Sequence, residues 1–371
     1  MEIPETEARK ESRIEVYNSE PLIPGLPNDV AELCLLHLPY PYQALVRSVS
    51  VSWNKAVTDP TFLFCKKSLS LSLPYFFVFA FNKSTDKMQW QALDPRSGRW
   101  FVLPSMPFPN SVCPSGFACA SLPRHGKLFV LGGKRSDAEC PMQTAMVYRT
   151  STNQWTEAKP MPTARSYFDA GSINGKIITV GGSGTRPGES ITAVELYDQD
   201  KDTWTAAAKL PLPLARYHSA VVGGKMYVTE GWTWPFMFSP RGAVYDLEND
   251  TWREMRAEMR EGWTGVSAVV GDRLFVISEH GDCPMKWYDS DDDTWRYVSG
   301  EKFPCEALRR PLAVSGLDGK YIYVVASGLN VGIGKVYQGE GNKEVKVEWQ
   351  VLPAPTAFQG FAPSTCQLLY A

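Results

Sequence analysis

Much of what this chain lacks is informative. It has no Cys-x-x-Cys pair: its eight cysteines (34, 65, 113, 119, 140, 283, 305, 366) are scattered, the closest two being Cys113 and Cys119. Disulfide scaffolds are short and cysteine-dense, so these thiols are expected to be mostly buried small residues in a reducing compartment. The longest apolar run, Tyr75-Phe-Phe-Val-Phe-Ala-Phe81, falls far short of the roughly 20 residues of a spanning helix. No apolar stretch follows a positive patch near Met1, so no secretory signal is expected. Charge of either sign is not in excess. The 38 basic and 40 acidic residues leave a net of −2, which gives no basic field for nucleic acid or an anionic membrane. Histidine is scarce: His37, His125, His218 and His280 share no paired spacing, so no metal site is predicted. Neither a phosphate loop nor a nucleophile elbow occurs. No cofactor is expected.

What is present divides near residue 70. Residues 1–21 form an acidic tail, with six glutamates against Arg9, Lys10 and Arg13 and little apolar periodicity; disorder is expected there. From Leu22 the pattern changes. Asp29 and Glu32 have the spacing of a capping box. Val30, Leu33, Cys34 and Leu38 then recur at helical spacing until Pro39. A second helix is predicted over 42–57, with Tyr42, Leu45, Val46, Val49, Trp53 and Ala56 on one stripe, ending before Asp59-Pro60. Two short helices bury too little apolar surface to be comfortable alone. They need a partner.

These residues resemble a known family. Leu22-x-Pro24-Gly-Leu26-Pro27-x-Asp-Val30-Ala-x-x-Cys34-Leu35, then Leu38-Pro39, Arg47-Ser-Val49, Trp53 and Asp59-Pro60, is similar to an F-box of the plant subtype. The resemblance implies a small α-helical domain over 22–66, docked on a Skp-type adaptor and through it on a cullin and a RING subunit. The residues it implies for docking are Leu22, Pro24, Leu26, Pro27, Val30, Cys34, Leu35, Leu38, Leu45, Val49 and Trp53. Val51 and Ser52 stand where many F-boxes carry basic residues. A linker is expected over 67–74.

The rest of the chain, 75–371, repeats. Tryptophans stand at 100, 155, 204, 252, 295 and 349, spaced by 55, 49, 48, 43 and 54. Seven residues before four of them is a tyrosine: Tyr148, Tyr197, Tyr245 and Tyr288. Leu93 takes that place before Trp100, and Tyr337 precedes Trp349 across a longer insertion. Upstream of each lies an apolar strand such as Gly126-Lys-Leu-Phe-Val-Leu-Gly-Gly133 or Gly175-Lys-Ile-Ile-Thr-Val-Gly-Gly182. Short strands with a period near 50 are the mark of a propeller, and the double glycine with its Tyr-x6-Trp resembles the kelch repeat. Inner strands are expected at 116–122, 168–174, 217–223, 264–271 and 312–317, only five for six blades. The sixth is Gly360–Tyr370, which must complete the blade begun at residue 75. The predicted fold is therefore an all-β six-bladed kelch β-propeller, closed by the C-terminal strand and preceded by the F-box.

In such a ring, the loops between second and third strands share a face with the blade-to-blade connections. The candidate client-binding residues lie on that face: Arg165, Arg216 and Arg310 ahead of inner strands, and Trp232, Trp234, Phe236 and Phe238 in one loop. For each arginine the alternative is an ion pair that stabilises a blade; for the aromatics it is packing over the blade. The chain lacks the Glu-x3-Asp-x3-His of plant kelch nitrile-specifier proteins, and its histidines are too dispersed for a galactose-oxidase-like copper site. No catalytic role is expected. Tyr227-Val-Thr-Glu-Gly-Trp-Thr-Trp-Pro-Phe236, Met259-Arg-Glu-Gly-Trp-Thr-Gly265 and Pro363–Ala371 resemble a branch of plant F-box/kelch proteins associated with phytochrome A far-red signalling. Other branches direct turnover of phenylpropanoid enzymes. The resemblance implies a substrate receptor of a Skp–cullin–F-box ubiquitin ligase acting in nucleus and cytoplasm, delivering an unidentified client for proteasomal degradation. A kelch scaffold without a ligase role is the alternative.

Overall fold

The computed structural model describes residues 21–371 except 83, 86, 108–114, 136–138, 187, 215–217, 231–238, 280, 283, 318 and 340–343. The chain divides into two compact units between Leu71 and Ser72.

The first unit is helical. α1 (Asn28–Leu36) begins without the predicted capping box: its N-cap is Pro27, with no side-chain cap. The nearby Asn28 side chain instead accepts a hydrogen bond from the Leu22 N–H at 3.0 Å. The single helix expected over 42–57 is broken. α2 (Tyr42–Leu45) passes into a 3-10 turn at Val46–Ser48, and Ser50 is extended at φ −159° before α3 (Val51–Thr58). Ser50 Oγ accepts the Trp53 N–H at 3.1 Å, so a serine inside the presumed stripe caps a new helix. A further helix, α4 (Pro60–Ser68), was not anticipated. Asp59 accepts from the Thr61 N–H at 2.8 Å and Pro60 occupies the first turn, so Asp59-Pro60 starts a helix as well as ending one. Leu35, Leu36, Val57 and Phe62 form the small core.

The second unit is the ring, built of six antiparallel sheets of four strands, the last extended by a short parallel strand, Ser299–Gly300. The innermost strands in ring order are Phe361–Tyr370, Ala118–Leu122, Asp169–Ile173, His218–Val222, Gly265–Val270 and Ala313–Leu317, each touching the next and the last touching the first. The closing strand is the one the strand count requires: Phe361–Tyr370 pairs antiparallel with Pro74–Asn82, from Pro74 opposite Tyr370 to Asn82 opposite Phe361. Every edge that would otherwise face an open seam is thereby paired.

The Tyr-x6-Trp signature acquires a physical basis. Tyr148, Tyr197, Tyr245 and Tyr288 lie directly across the ladder from Trp155, Trp204, Trp252 and Trp295, with ring centroids 5.0–5.4 Å apart. Each tyrosine hydroxyl donates to a turn side chain five residues on: Asn153, Asp202, Asp250 or Asp293, at 2.5–2.7 Å. Those four residues have φ between 48° and 52°, a left-handed conformation that asparagine and aspartate tolerate best among residues with a side chain. Each tryptophan Nε1 donates to a backbone carbonyl that follows the preceding blade: Pro104, Lys159, Ala208 and Glu258, at 2.7–2.9 Å. Asp202 and Asp250 also accept the N–H groups of Lys159 and Ala208. In these four blades the aromatic pair is thus a staple to the blade before.

The sixth blade departs from expectation. Tyr337 faces Lys346, and the residue opposite Trp349 is Gly334. The long strands Val331–Gln338 and Val345–Leu352 shift the pairing, so the tyrosine and tryptophan of that repeat are not partners.

The double glycines make room for a neighbouring segment. A side chain at Gly132 would lie 2.6 Å from the Arg165 carbonyl, and one at Gly182 would lie 2.8 Å from the Ser166 carbonyl. What needs the space is the segment arriving to start the next inner strand.

Candidate functional site

Two surfaces carry features that the folding of the chain does not use up. The first is on the F-box. Along α1, Ala31 and Leu35 face inward, whereas Val30 and Leu33, with Leu26 just ahead of the helix, face water. Of the residues that the resemblance implies for adaptor docking, Pro24, Leu26, Pro27, Val30, Cys34, Leu45 and Val49 are exposed. Leu22, Leu38 and Trp53 are half-buried, and the Trp53 indole N–H donates to the Leu22 carbonyl, tying the Pro-rich lead segment to α3. Leu35 is a correction: at 1% exposure it belongs to the core and has no surface to offer. Position on the helix decides this, since Leu35 lies one turn after Ala31 on the inward stripe. Sequence reasoning missed Tyr42, Val51 and Phe64 as surface groups; Val51 is 87% exposed. The break at Ser48–Ser50 hid Val51 by disrupting the period, and Phe64 lies on α4, which sequence reasoning did not place.

The second surface is one face of the ring. All inner strands set out from it, so their first residues surround a central cavity of about 390 Å³ that includes Phe117, Phe168, Asp169, His218 and Ser219. Here the predicted client residues meet a mixed outcome. Arg165 is fully buried and does not reach a partner protein: this, too, is a correction. Its guanidinium donates to the carbonyls of Gly181 and Ala193, both at 3.0 Å, and pairs with Glu195 at 2.9 Å. Glu195 in turn accepts from Thr163 Oγ1 at 2.5 Å. Its backbone pairs with Met142 and Gly133 of the second blade while its side chain bonds within the third, so the residue joins the two and forms the ion pair weighed for it from sequence. Arg310 donates to the Ser278 carbonyl at 2.7 Å and lies 3.8 Å from Glu279, bridging a blade junction while its side chain keeps partial exposure. Arg216, Trp232, Trp234, Phe236 and Phe238 lie outside the described residues.

The group that sequence reasoning overlooked on this face is Tyr167. It is 55% exposed and sits at φ 51°, an outlier for a bulky side chain. Its N–H donates to the Gly116 carbonyl at 2.7 Å, and its ring lies so close over Gly116 that a side chain there would come within 2.9 Å. A non-glycine residue at positive φ is held there by its surroundings; nothing in a single sequence marks it.

Deeper in the cavity wall, Asp169 accepts the Ala170 N–H at 2.8 Å and a hydrogen bond from Ser219. Burial pushes the Asp169 carboxyl above the usual carboxylate range, even though those bonds and the nearby His218 ring pull it down. Among the described residues no group of three or more potential metal ligands converges.

A helical docking module with an outward apolar face, followed by a six-bladed propeller with a loop-bearing face, defines a two-part recognition protein. The comparisons agree with that class. Residues 23–65 match the F-box domain, and residues 125–331 match the FKB95 kelch-repeats domain. The chain is 58% identical over 366 residues to F-box protein AFR of Arabidopsis thaliana, covering 98% of this chain and 96% of that one. It is 39% identical over 353 residues to an F-box/kelch-repeat protein of the same plant, covering 95% and 87%. The chain belongs to the F-box/kelch-repeat proteins.

Proposed function

We propose that this protein is the substrate-recognition subunit of a Skp–cullin–F-box ubiquitin ligase. The F-box unit docks on the Skp-type adaptor, which joins it to cullin and RING subunits, and the propeller holds a client for ubiquitination and proteasomal degradation. One observation carries this reading. Among the described residues, nine large apolar side chains are exposed between Pro21 and Leu71, against five in all the rest of the chain. So much apolar surface on so small a unit marks an interaction site. Proteins of this family are typically receptors and not catalysts, and the client chemistry is carried by the ligase's other subunits. Phytochrome A far-red signalling, in nucleus and cytoplasm, is the finer reading and is supported by the sequence resemblance alone.

The test is co-purification with a plant Skp-type adaptor. Val30→Asp with Leu33→Asp places two charges on the outward stripe of α1 and is expected to abolish capture, with circular dichroism unchanged. Undiminished capture by the double variant would remove the ligase reading.

A further inference from the structure

The face of the ring that carries Tyr167 also holds a socket of defined charge. Polar residues of four inner strands line it, among them Asp169, His218, Ser219, Ser267, Ser364 and Thr365. Among the described residues that line the cavity there is no lysine or arginine. The one formal charge is the Asp169 carboxylate, whose partners are neutral hydrogen-bond donors and an imidazole. A carboxylate placed this way lacks a full counter-charge, and its desolvation is only partly offset.

The rim above it is aromatic. Tyr167 precedes the lining residues Phe168 and Asp169 in the chain and is bonded to Gly116, which precedes the lining residue Phe117. Among the described cations of this face, Lys134 is paired with Glu139 at 2.5 Å, and Arg310 is bonded to the Ser278 carbonyl and lies 3.8 Å from Glu279. An exposed phenol ring presented beside an acid-lined hole is the arrangement that attracts a flat cation: the ring face supplies π density and the carboxylate supplies charge. The strained backbone fixes the ring in place before any partner arrives, which lowers the ordering cost of binding.

We infer that the mouth of the central channel is the client-anchoring socket, and that its occupant is an arginine side chain projecting from a loop of the partner protein. The guanidinium enters past Tyr167, stacks on its ring and meets Asp169, while the channel hydroxyls accept the remaining N–H groups. A lysine makes fewer of these contacts, because its ammonium lacks the planar fork. A cavity of about 390 Å³ admits one such side chain and excludes a folded element. The inference deepens the receptor reading and rests on it for the word client, while the socket itself is testable without any ligase component.

The probe is N-acetyl-arginine amide, with N-acetyl-citrulline amide as its neutral near-isostere and N-acetyl-lysine amide as the point-charge control. Binding to the full chain, co-purified with its adaptor, is read by saturation-transfer NMR and titration. The arginine probe is expected to bind in the millimolar range, with lysine weaker and citrulline at least about tenfold weaker. Asp169→Asn keeps an acceptor for Ala170 and is expected to weaken the arginine probe about tenfold. Tyr167→Gly relieves the positive φ, so it should hold or raise the melting temperature while weakening the probe roughly two- to fivefold. Equal binding of citrulline and arginine, an Asp169→Asn variant that binds like the parent, or no binding at all would each overturn the proposal. Adaptor retention is measured in the same samples. A socket that fails with the adaptor still bound refutes the anchor alone, whereas a working socket on a chain that never retains the adaptor refutes the ligase reading alone.

Discussion

The two units of this chain handle apolar side chains in opposite ways. The propeller buries its own: aromatic pairs close over the ladders, tryptophan N–H groups bond to the neighbouring blade, and even an arginine is fully enclosed by carbonyls and Glu195. The F-box keeps a core of four fully buried apolar side chains in its main cluster and turns Leu26, Val30, Leu33, Tyr42, Leu45, Val49, Val51 and Phe64 outward. The ring encloses most of its apolar groups and leaves Tyr167 exposed beside its cavity. The F-box is complete only with a partner. The same residue types therefore mean different things by where they point: a buried leucine, in the ring or at Leu35, costs folding stability if lost, and an outward one such as Leu33 costs binding.

Four changes would break or sharpen that contrast. The largest effect is expected from ending the chain before Phe361, which strips the inner strand from the first blade and opens the edge of Pro74–Asn82. The ring should then aggregate or lose its cooperative melting transition, while the F-box still captures adaptor; a truncated chain that melts like the full one would contradict closure by this strand. Next is Arg165→Ala, which leaves Glu195 buried without its partner and should cost about 3–5 kcal/mol of stability in urea unfolding. Arg165→Met combined with Glu195→Leu should recover most of that loss. If the single variant is as stable as the parent, the arginine is not a blade lock.

Smaller effects follow at the staples. Asp250→Ala removes the acceptor of Tyr245 and of the Ala208 N–H and puts alanine at φ 48°, so a loss of about 2–3 kcal/mol is expected. Asp250→Asn should cost less than this at pH 7, because Asn153 already fills the equivalent place in the second blade. The pH dependence has a definite sign. Hydrogen bonds from backbone N–H groups, followed by those from Tyr197 and Tyr245, hold the Asp202 and Asp250 carboxyls below the usual carboxylate range. Their stabilisation is present above the unfolded value of about 4 and is lost as pH falls below it toward the depressed folded values. Asp250→Asn should flatten the fall in stability between pH 7 and acid unfolding; an unchanged pH dependence would mean the staple carboxyl contributes nothing there. The smallest effect on stability belongs to Val30→Asp with Leu33→Asp: within about 0.5 kcal/mol per site, despite the expected loss of adaptor. A large drop in melting temperature would show that this face is structural after all, and the contrast between the units would fail.

The ring was legible because its signals are periodic. Tryptophans at a regular spacing, glycine pairs and five inner strands for six blades point to closure by Gly360–Tyr370, and the pairing of Pro74 with Tyr370 bears this out. The helical unit was less so. A stripe counted across Ser48–Ser50 assumes one continuous helix, and local hydrogen bonding by Ser50 defeats that assumption. The Asp59-Pro60 pair was seen as a stop because proline ends helices; the same pair is also a strong start. At the candidate sites the failure has another cause. Leu35 and Arg165 have the right residue types in the right neighbourhoods, but burial is set by which way a side chain points in three dimensions. Tyr167 gave no sign at all, since a left-handed tyrosine is imposed by its contact with Gly116 and not by its own preference.

The staples of the second to fifth blades run in one direction, each holding the blade made before it, and the last-made strand fastens the first blade. On the ribosome this imposes an order of events. As successive blades emerge, each can lean on a neighbour already in place, yet the strand Pro74–Asn82 waits for a partner nearly 300 residues away in the chain. Pairing over such a separation is the slow step of a β fold. The nascent chain therefore carries a finished hook long before it carries a closed ring, and any synthesis that stops early leaves a protein able to engage its adaptor with nothing coherent to present.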